Sequence, residues 1–346
     1  MRTLCGVKMV KIVYLTENFK DTVRQDALYY LEQEVGKLVD CRWTGKGWRR
    51  HKPKEPMDRT VKRVMPDADW VIYFIFETIA RRNPVIIPPK EKRSYKVAAY
   101  TVDLHRDSAR FLNWVNQLGL DAALMTSTRL AKNAYQGEIL PISPDYFINR
   151  LNMPFFHMAP AINPEIYKPA NGEKRFDVTF LGAVTLRHYP LRCLIWEELP
   201  DLAKKEGWKA LIRNTPPGLA INKKISGLIK SGYFVGRKYA DALAYSKIFL
   251  FGTSVFKYPL MKFYEGMACG ACVMSDVPLS AEELHLIPDW NFVAVDEDNW
   301  KEKLKYYLKH DAEREEIAKR GYETVMKYHT AKVRAKQLVK FLEEHA

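Results

Sequence analysis

Short, wholly apolar runs recur along the chain, separated by stretches in which apolar residues return every three or four positions. The runs Trp70–Phe76, Ile248–Phe251 and Ala271–Met274 carry no polar alternation, as strands buried on both faces of a parallel sheet do. In the first half, strands are predicted at Met9–Glu17, near Val39–Thr44, and at Trp70–Phe76, Lys96–Asp103, Ala122–Thr126 and Phe155–Ala161. Helices are predicted between them, clearest at Asp21–Leu38, with Leu28, Leu31 and Val35 on one face, and at Ser108–Leu118. A second series of strands follows at Asp177–Leu181, Ala210–Arg213, Ile248–Phe251, Ala271–Met274 and Phe292–Val295. Ala312–His345 reads as two amphipathic helices. Strands alternating with helices predict an α/β chain of doubly wound parallel sheets.

The segment NPEIYKPANGEKR, residues 163–175, breaks this rhythm with two prolines and a polar run, and is the expected linker. The chain then divides into residues 1–162, the linker, residues 176–330 and a C-terminal helix over 331–346. Its 346 residues suffice for two domains of ordinary size. With 47% apolar and 28% charged residues the composition is globular.

No apolar run approaches the length that spans a bilayer, and MRTLCGVKMVKIVYL lacks the core and cleavage site of a signal peptide. The five scattered cysteines suit reduced thiols, so a cytoplasmic protein is expected. Cys269 and Cys272 form a C-x-x-C, yet they flank a predicted helix cap at Gly270, and a lone pair is read as structural. The net charge of +14 implies an anionic partner. Its densest source is the loop expected after the second strand, GKGWRRHKPKEPMDRTVKR from Gly45, in which Trp48 stands among Arg49, Arg50, Lys52 and Lys54.

Candidate chemistry concentrates between Lys247 and Asp276. A buried strand leads through Gly252, Thr253 and Ser254 into a helix whose first turn is expected at Pro259, and a second buried strand follows. Tyr258, Lys262 and Glu265 recur at spacings of four and three, on one helical face. Such a helix aims its N-terminus out of the carboxyl edge of the sheet, where the dipole favours a phosphate. Lys257 and Lys262 add positive charge, and Glu265 is placed to accept hydrogen bonds from a ribose diol. Together these suit a nucleotide sugar. The plain alternative is an ordinary strand–helix–strand unit with solvated lysines.

YPLMKFYEGMACGACVMSD resembles the nucleotide-sugar signature of GT-B glycosyltransferases, a helix carrying a Glu and ending in Ala-Cys-Gly before a strand. More narrowly, FDVTFLGAVTLRHYPLR, YADALAYSKIFLFG and the tail GYETVMKYHTAKVRAKQLVKFLEE make the chain, from about Asn163 onward, similar to the spore-maturation CgeB-like glycosyltransferase family. The resemblance implies two Rossmann-like domains facing across a cleft, with the last helix returning to the first domain. It implies transfer of a sugar, a hexose foremost, from a nucleotide-diphosphate donor, a UDP-sugar foremost, with no tightly bound cofactor. Many retaining GT-B enzymes hold a second acid eight positions before the ribose Glu; here that position is Lys257, which leaves the anomeric outcome open.

In the donor half, Gly182 past its strand allows close backbone approach, while Arg187, Arg192 and, more weakly, Arg213 are candidates for a diphosphate clamp. A solvated helix entrance is the plain reading of Arg192. In the acceptor half, Asp103 and His105 lie past the fourth strand and are candidates for the base that takes the acceptor's proton. Glu17 and Asn18, past the first strand, are expected near the acceptor together with Trp48, Arg49 and Arg50. Cations with an aromatic suit phosphate contacts and base stacking, so hydroxylated bases of DNA are one expected acceptor; an anionic envelope glycan or lipid, reached by peripheral membrane contact, is another. Asp67/Asp69 and Asp296/Asp298 form D-x-D pairs, read as turn and cap residues rather than metal ligands. Two rival functions of the same fold remain, a non-catalytic nucleic-acid-binding protein and a sugar-nucleotide epimerase.

Overall fold

The computed structural model describes residues 9–22, 26–75, 86–101, 104–105, 108–135, 138–216 and 224–346. Its first sheet contains β1 (Lys11–Leu15), β2 (Asp40–Thr44), β3 (Trp70–Ile75), β4 (Lys96–Thr101), β5 (Ala122–Met125) and β8 (Phe155–His157), all parallel, in the order β2-β1-β3-β4-β5-β8. The uninterrupted apolar runs follow from covering on both faces. Val13, Val71, Val97, Ala99 and Ala123 point to α2 (Met57–Val64) and α3 (Ser108–Gln117). Ile12, Tyr14, Trp70, Ile72, Ala98 and Leu124 point to α1 (Asp26–Val35) and to α10 (Ala331–Glu344).

The second sheet, β10-β9-β11-β12-β13, is likewise parallel. Its strands are β9 (Phe176–Gly182), β10 (Ala210–Asn214), β11 (Ser246–Leu250), β12 (Cys272–Ser275) and β13 (Val293–Ala294). One face packs on α6 (Gly236–Ala244) and α7 (Met261–Ala268), the other on α4 (Pro190–Glu206), α8 (Trp300–Lys309) and α9 (Asp311–Tyr328). A short α5 (Ile225–Lys230) stands beside these layers, and its neighbour Lys224 bridges to Thr22 of the first domain.

The last helix returns to the first domain. Ala335, Leu338, Val339 and Leu342 on α10 are buried in the core beneath α1, and Trp70 Nε1 donates to the Leu342 carbonyl at 3.1 Å. Burying Leu338 and Leu342 alone contributes roughly 3–6 kcal/mol, an upper estimate. The chain crosses between domains twice, side by side: Ile162 N–H donates to His329 O at 2.9 Å, and Ala331 N–H to Ile162 O at 2.8 Å. There Arg334, buried on α10, donates to His329 Nδ1 at 3.1 Å, leaving the proton on Nε2 to reach Leu284 O at 2.8 Å.

Several expected elements are shorter. The helix drawn over Asp21–Leu38 runs Asp26–Val35, and the strand drawn over Phe155–Ala161 stops at His157, before Pro160 and the crossover. An antiparallel hairpin, β6 (Lys132–Tyr135) with β7 (Glu138–Pro141), was not expected, because its partly exposed strands have no apolar run. The basic stretch is not loop throughout: Met57, Thr60, Val61 and Val64 bury one face of α2, and Arg63 turns back to Glu55. Segment 163–175 is irregular, yet it buries Tyr167 in the second core.

Candidate active site

The order of the second sheet reverses between β9 and β11, and open α/β sheets bind ligands beyond the carboxyl ends of strands at such a point. Arg192 sits there. Pro190 starts α4, which turns Arg192 of its first turn onto the sheet edge, only 3% exposed. Its Nε donates to Gly252 O at 2.5 Å, and its guanidinium lies 3.9 Å over the Tyr189 ring. The solvated reading of Arg192 is therefore overturned: its side chain staples the loops after β9 and β11. Gly182 faces this guanidinium; an added Cβ would stand 3.6 Å from Arg192 Cδ, so packing within the protein does not demand a glycine. Arg187 is exposed in the loop between β9 and α4. Arg213 is exposed at the end of the edge strand β10, its Nη1 folded back on the Ile212 carbonyl at 2.7 Å.

Glu265 lies on α7, which packs tightly against the sheet. A Cβ at Gly266 would come within 2.7 Å of Val273 Cγ2 and 2.8 Å of Phe249 Cδ1, so only glycine permits this approach. The helix ends as expected at Gly270, with φ +70°. Glu265 is partly accessible, and two buried phenols hold it: Tyr167 donates to Oε1 at 3.1 Å and Tyr239 to Oε2 at 2.9 Å. Lys262, one turn earlier, donates to Leu181 O at the end of β9 and lies 3.4 Å from the Tyr239 hydroxyl. Burial, then the charge of Arg192, lowers the Lys262 ammonium to about 7, against the pull of Glu265. Burial likewise raises the Glu265 carboxyl, with Lys262, Tyr239 and Tyr167 opposing it. A linked row of polar groups thus runs from the end of β9 through Lys262 and Tyr239 to Glu265 and Tyr167. It offers carboxylate lone pairs and an ammonium at the point where the sheet opens.

Lys257 precedes this helix in a left-handed conformation, φ 57°, and pairs with Asp276 past β12. Asp276 also accepts the backbone N–H and the hydroxyl of Thr253. Lys257 is thus a partly exposed cation that forms one arm of a three-residue knot. Asp276 went unnoticed among the site candidates, although an acid just past a buried strand was a readable signal. Ser254 is buried and accepts Phe256 N–H at 3.3 Å, a turn-forming role.

Tyr258 does not share the helical face expected of it, because α7 begins only at Met261. Its hydroxyl reaches the first domain, accepting His105 N–H at 2.9 Å and meeting His105 Nδ1 at 3.1 Å. Phe256 stacks on the same imidazole at 4.0 Å and is buried in the first domain's core, while its carbonyl accepts Ala131 N–H at 3.0 Å. Arg129, past β5, pairs with Glu283, past β12, at 3.0 Å. Residues beyond the carboxyl ends of both sheets therefore meet, and the two edges face each other.

Asp103 lies outside the described residues. Glu17 pairs with Lys46 at 3.1 Å, and Asn18 N–H donates to Lys46 O at 2.8 Å, which ties the start of the basic stretch to the end of β1. Gly45 makes this possible: at φ +130° its added Cβ would lie 2.1 Å from Thr16 O. Trp48 is no free stacking platform, since its indole packs on Tyr29 at 6.3 Å and Trp43 at 5.9 Å. Arg49 and Arg50 are exposed. Asp296 accepts the N–H groups of Asp298 and Asn299 in the turn before α8, whose N-cap is Asn299, and Asp69 accepts Lys11 N–H. Among the described residues no group of three or more His, Cys, Asp or Glu is placed to hold a metal ion. The four described cysteines are free and buried, and no described helix is long and apolar enough to cross a membrane.

Residues 175–340 match the family model described as glycosyl transferase-like. No curated protein matches the chain. Solved structures of similar fold include a glycosyltransferase from Rickettsia africae, with 10% identity, TM-score 0.65 and coverage of 98% of this chain and 99% of that one. Sucrose-phosphate synthase from Thermosynechococcus elongatus gives 11% identity, TM-score 0.62 and coverage of 97% and 98%. HepE of Anabaena in complex with UDP-glucose gives 10% identity, TM-score 0.59 and coverage of 97% and 100%. Residues 175–340 are accordingly similar to the glycosyl transferase-like family, and the chain as a whole has the GT-B fold of two Rossmann-like domains.

Proposed function

We propose that the protein transfers a sugar, a hexose, from a UDP-sugar to a hydroxyl of an anionic acceptor. The observation that carries this reading is the placement of Glu265 and Lys262 at the switch point of the second sheet. Glu265 accepts the ribose diol. Lys262, Lys257 and exposed Arg187 face the diphosphate and stabilise the charge it gains as the sugar leaves. The glycosyl transferase-like match of the second domain and the UDP-glucose bound by the HepE structure support this donor class. On the acceptor side His105, whose ring meets the Tyr258 hydroxyl, and Asp103 are the two candidate bases for the acceptor's proton. Within the glycosyltransferases, the kinship proposed is with the CgeB-like branch, and the compartment is the cytoplasm.

The acceptor best suited to the exposed Arg49, Arg50, Lys52 and Lys54 is DNA, read through its phosphates. Titration calorimetry with UDP tests the donor reading, which requires binding in the parent and at least 30-fold weaker binding in Glu265→Ala. Equal binding by both defeats it. Slow hydrolysis of labelled UDP-glucose separates the transferase from a non-catalytic binder of the same fold. DNA binding that survives neutralisation of Arg49, Arg50 and Lys52 excludes the DNA acceptor.

A further inference from the structure

We infer that Tyr167 and Tyr239 are positioning residues that make the donor site select ribonucleotides over 2′-deoxyribonucleotides. The inference rests on the proposed grip of Glu265 on the ribose and adds what decides its geometry. A carboxylate on a helix rotates about its last bond and satisfies one hydroxyl as readily as two. Glu265 has lost that freedom: Tyr167 reaches Oε1 at 3.1 Å from the linker side, and Tyr239 reaches Oε2 at 2.9 Å from α6. Both rings are buried, 7% and 8% exposed, and stand edge to face at 6.5 Å, so neither phenol can follow a rotating carboxylate. Two of the roughly four acceptor positions of the carboxylate are thereby used, one on each oxygen, which leaves one on each for a ligand. That spacing fits the paired O–H groups of a vicinal diol. A 2′-deoxyribose supplies one donor and leaves the other oxygen desolvated and unpaired, the arrangement that gives a site its strongest discrimination.

The test compares UDP and dUDP by calorimetry in the parent, Glu265→Ala, Tyr167→Phe, Tyr239→Phe and the double phenylalanine variant. The parent is expected to bind dUDP at least 30-fold more weakly than UDP. Each single variant lowers that ratio by at least threefold, and the double variant brings it below fivefold while still binding UDP. Loss of the hydroxyls with the ratio intact overturns the inference, as does a parent that binds the two nucleotides alike. If the double variant does not melt cooperatively, the two single variants decide. Glu265→Ala binding UDP like the parent defeats the donor reading itself; Glu265→Ala weakened with an unchanged ratio in the phenylalanine variants defeats the positioning role alone.

Discussion

His105 and Tyr258 belong to different domains, and the Tyr258 hydroxyl holds His105 twice, accepting its N–H at 2.9 Å and meeting Nδ1 at 3.1 Å. Tyr258 lies on the loop that leads from the switch point to the helix of Glu265. This phenol therefore connects the donor loop to the candidate base. Tyr258→Phe is expected to destabilise the protein by about 1–2 kcal/mol, the net worth of two hydrogen bonds. The amide of His105 should exchange with deuterium at least tenfold faster. Unchanged protection at His105 would mean that the contact holds nothing together.

Lys262 makes the stability of the protein depend on pH. Its ammonium, lowered by burial to about 7, is ordinarily near 10.5, so between these values the unfolded chain binds the extra proton. Stability therefore rises with pH across that window, with a slope of at most about 1.4 kcal/mol per unit. Lys262→Met should flatten the slope in urea titrations between pH 7 and 10.

The same lysine should take up a proton when a diphosphate arrives, because an adjacent anion restores its charge. At pH 8, calorimetry of UDP binding in buffers of different ionisation enthalpy is expected to show net proton uptake approaching one per site. In Lys262→Met that uptake disappears.

At the double crossover, His329 is held neutral. Burial, then the charge of Arg334, lowers its imidazolium to about 3, against an ordinary value near 6.5. The unfolded state alone protonates between these values, so stability is lost as pH falls from 6.5 towards 3, by up to about 1.4 kcal/mol per unit. His329→Gln should make the acid limb of the stability profile shallower.

Gly266→Ala tests the close packing of α7. With an added Cβ at 2.7–2.8 Å from Val273 and Phe249, the helix must move off the sheet, and a loss of about 1–3 kcal/mol is expected in denaturant unfolding. A neutral result would show that the helix yields without cost.

The order of strands and helices, the parallel character of both sheets, and Glu265 and Lys262 as neighbours on one helix were legible in the sequence. All of these depend on contacts with a local signature. Apolar runs report burial on two faces, spacings of three report a shared helical side, and Gly270 reports a left-handed cap. What the tertiary structure alone decided is who meets whom across long separations. Tyr167 and Tyr239 come to Glu265 from 98 and 26 residues away, and Tyr258 comes to His105 from 153. Burial and packing were decided in the same way: they withdrew Arg192 from solvent, set Trp48 against Tyr29 and Trp43, and gave Lys257 a carboxylate partner. Charge and periodicity are properties of neighbouring residues; desolvation and hydrogen-bond pairing arise only when distant segments close over them.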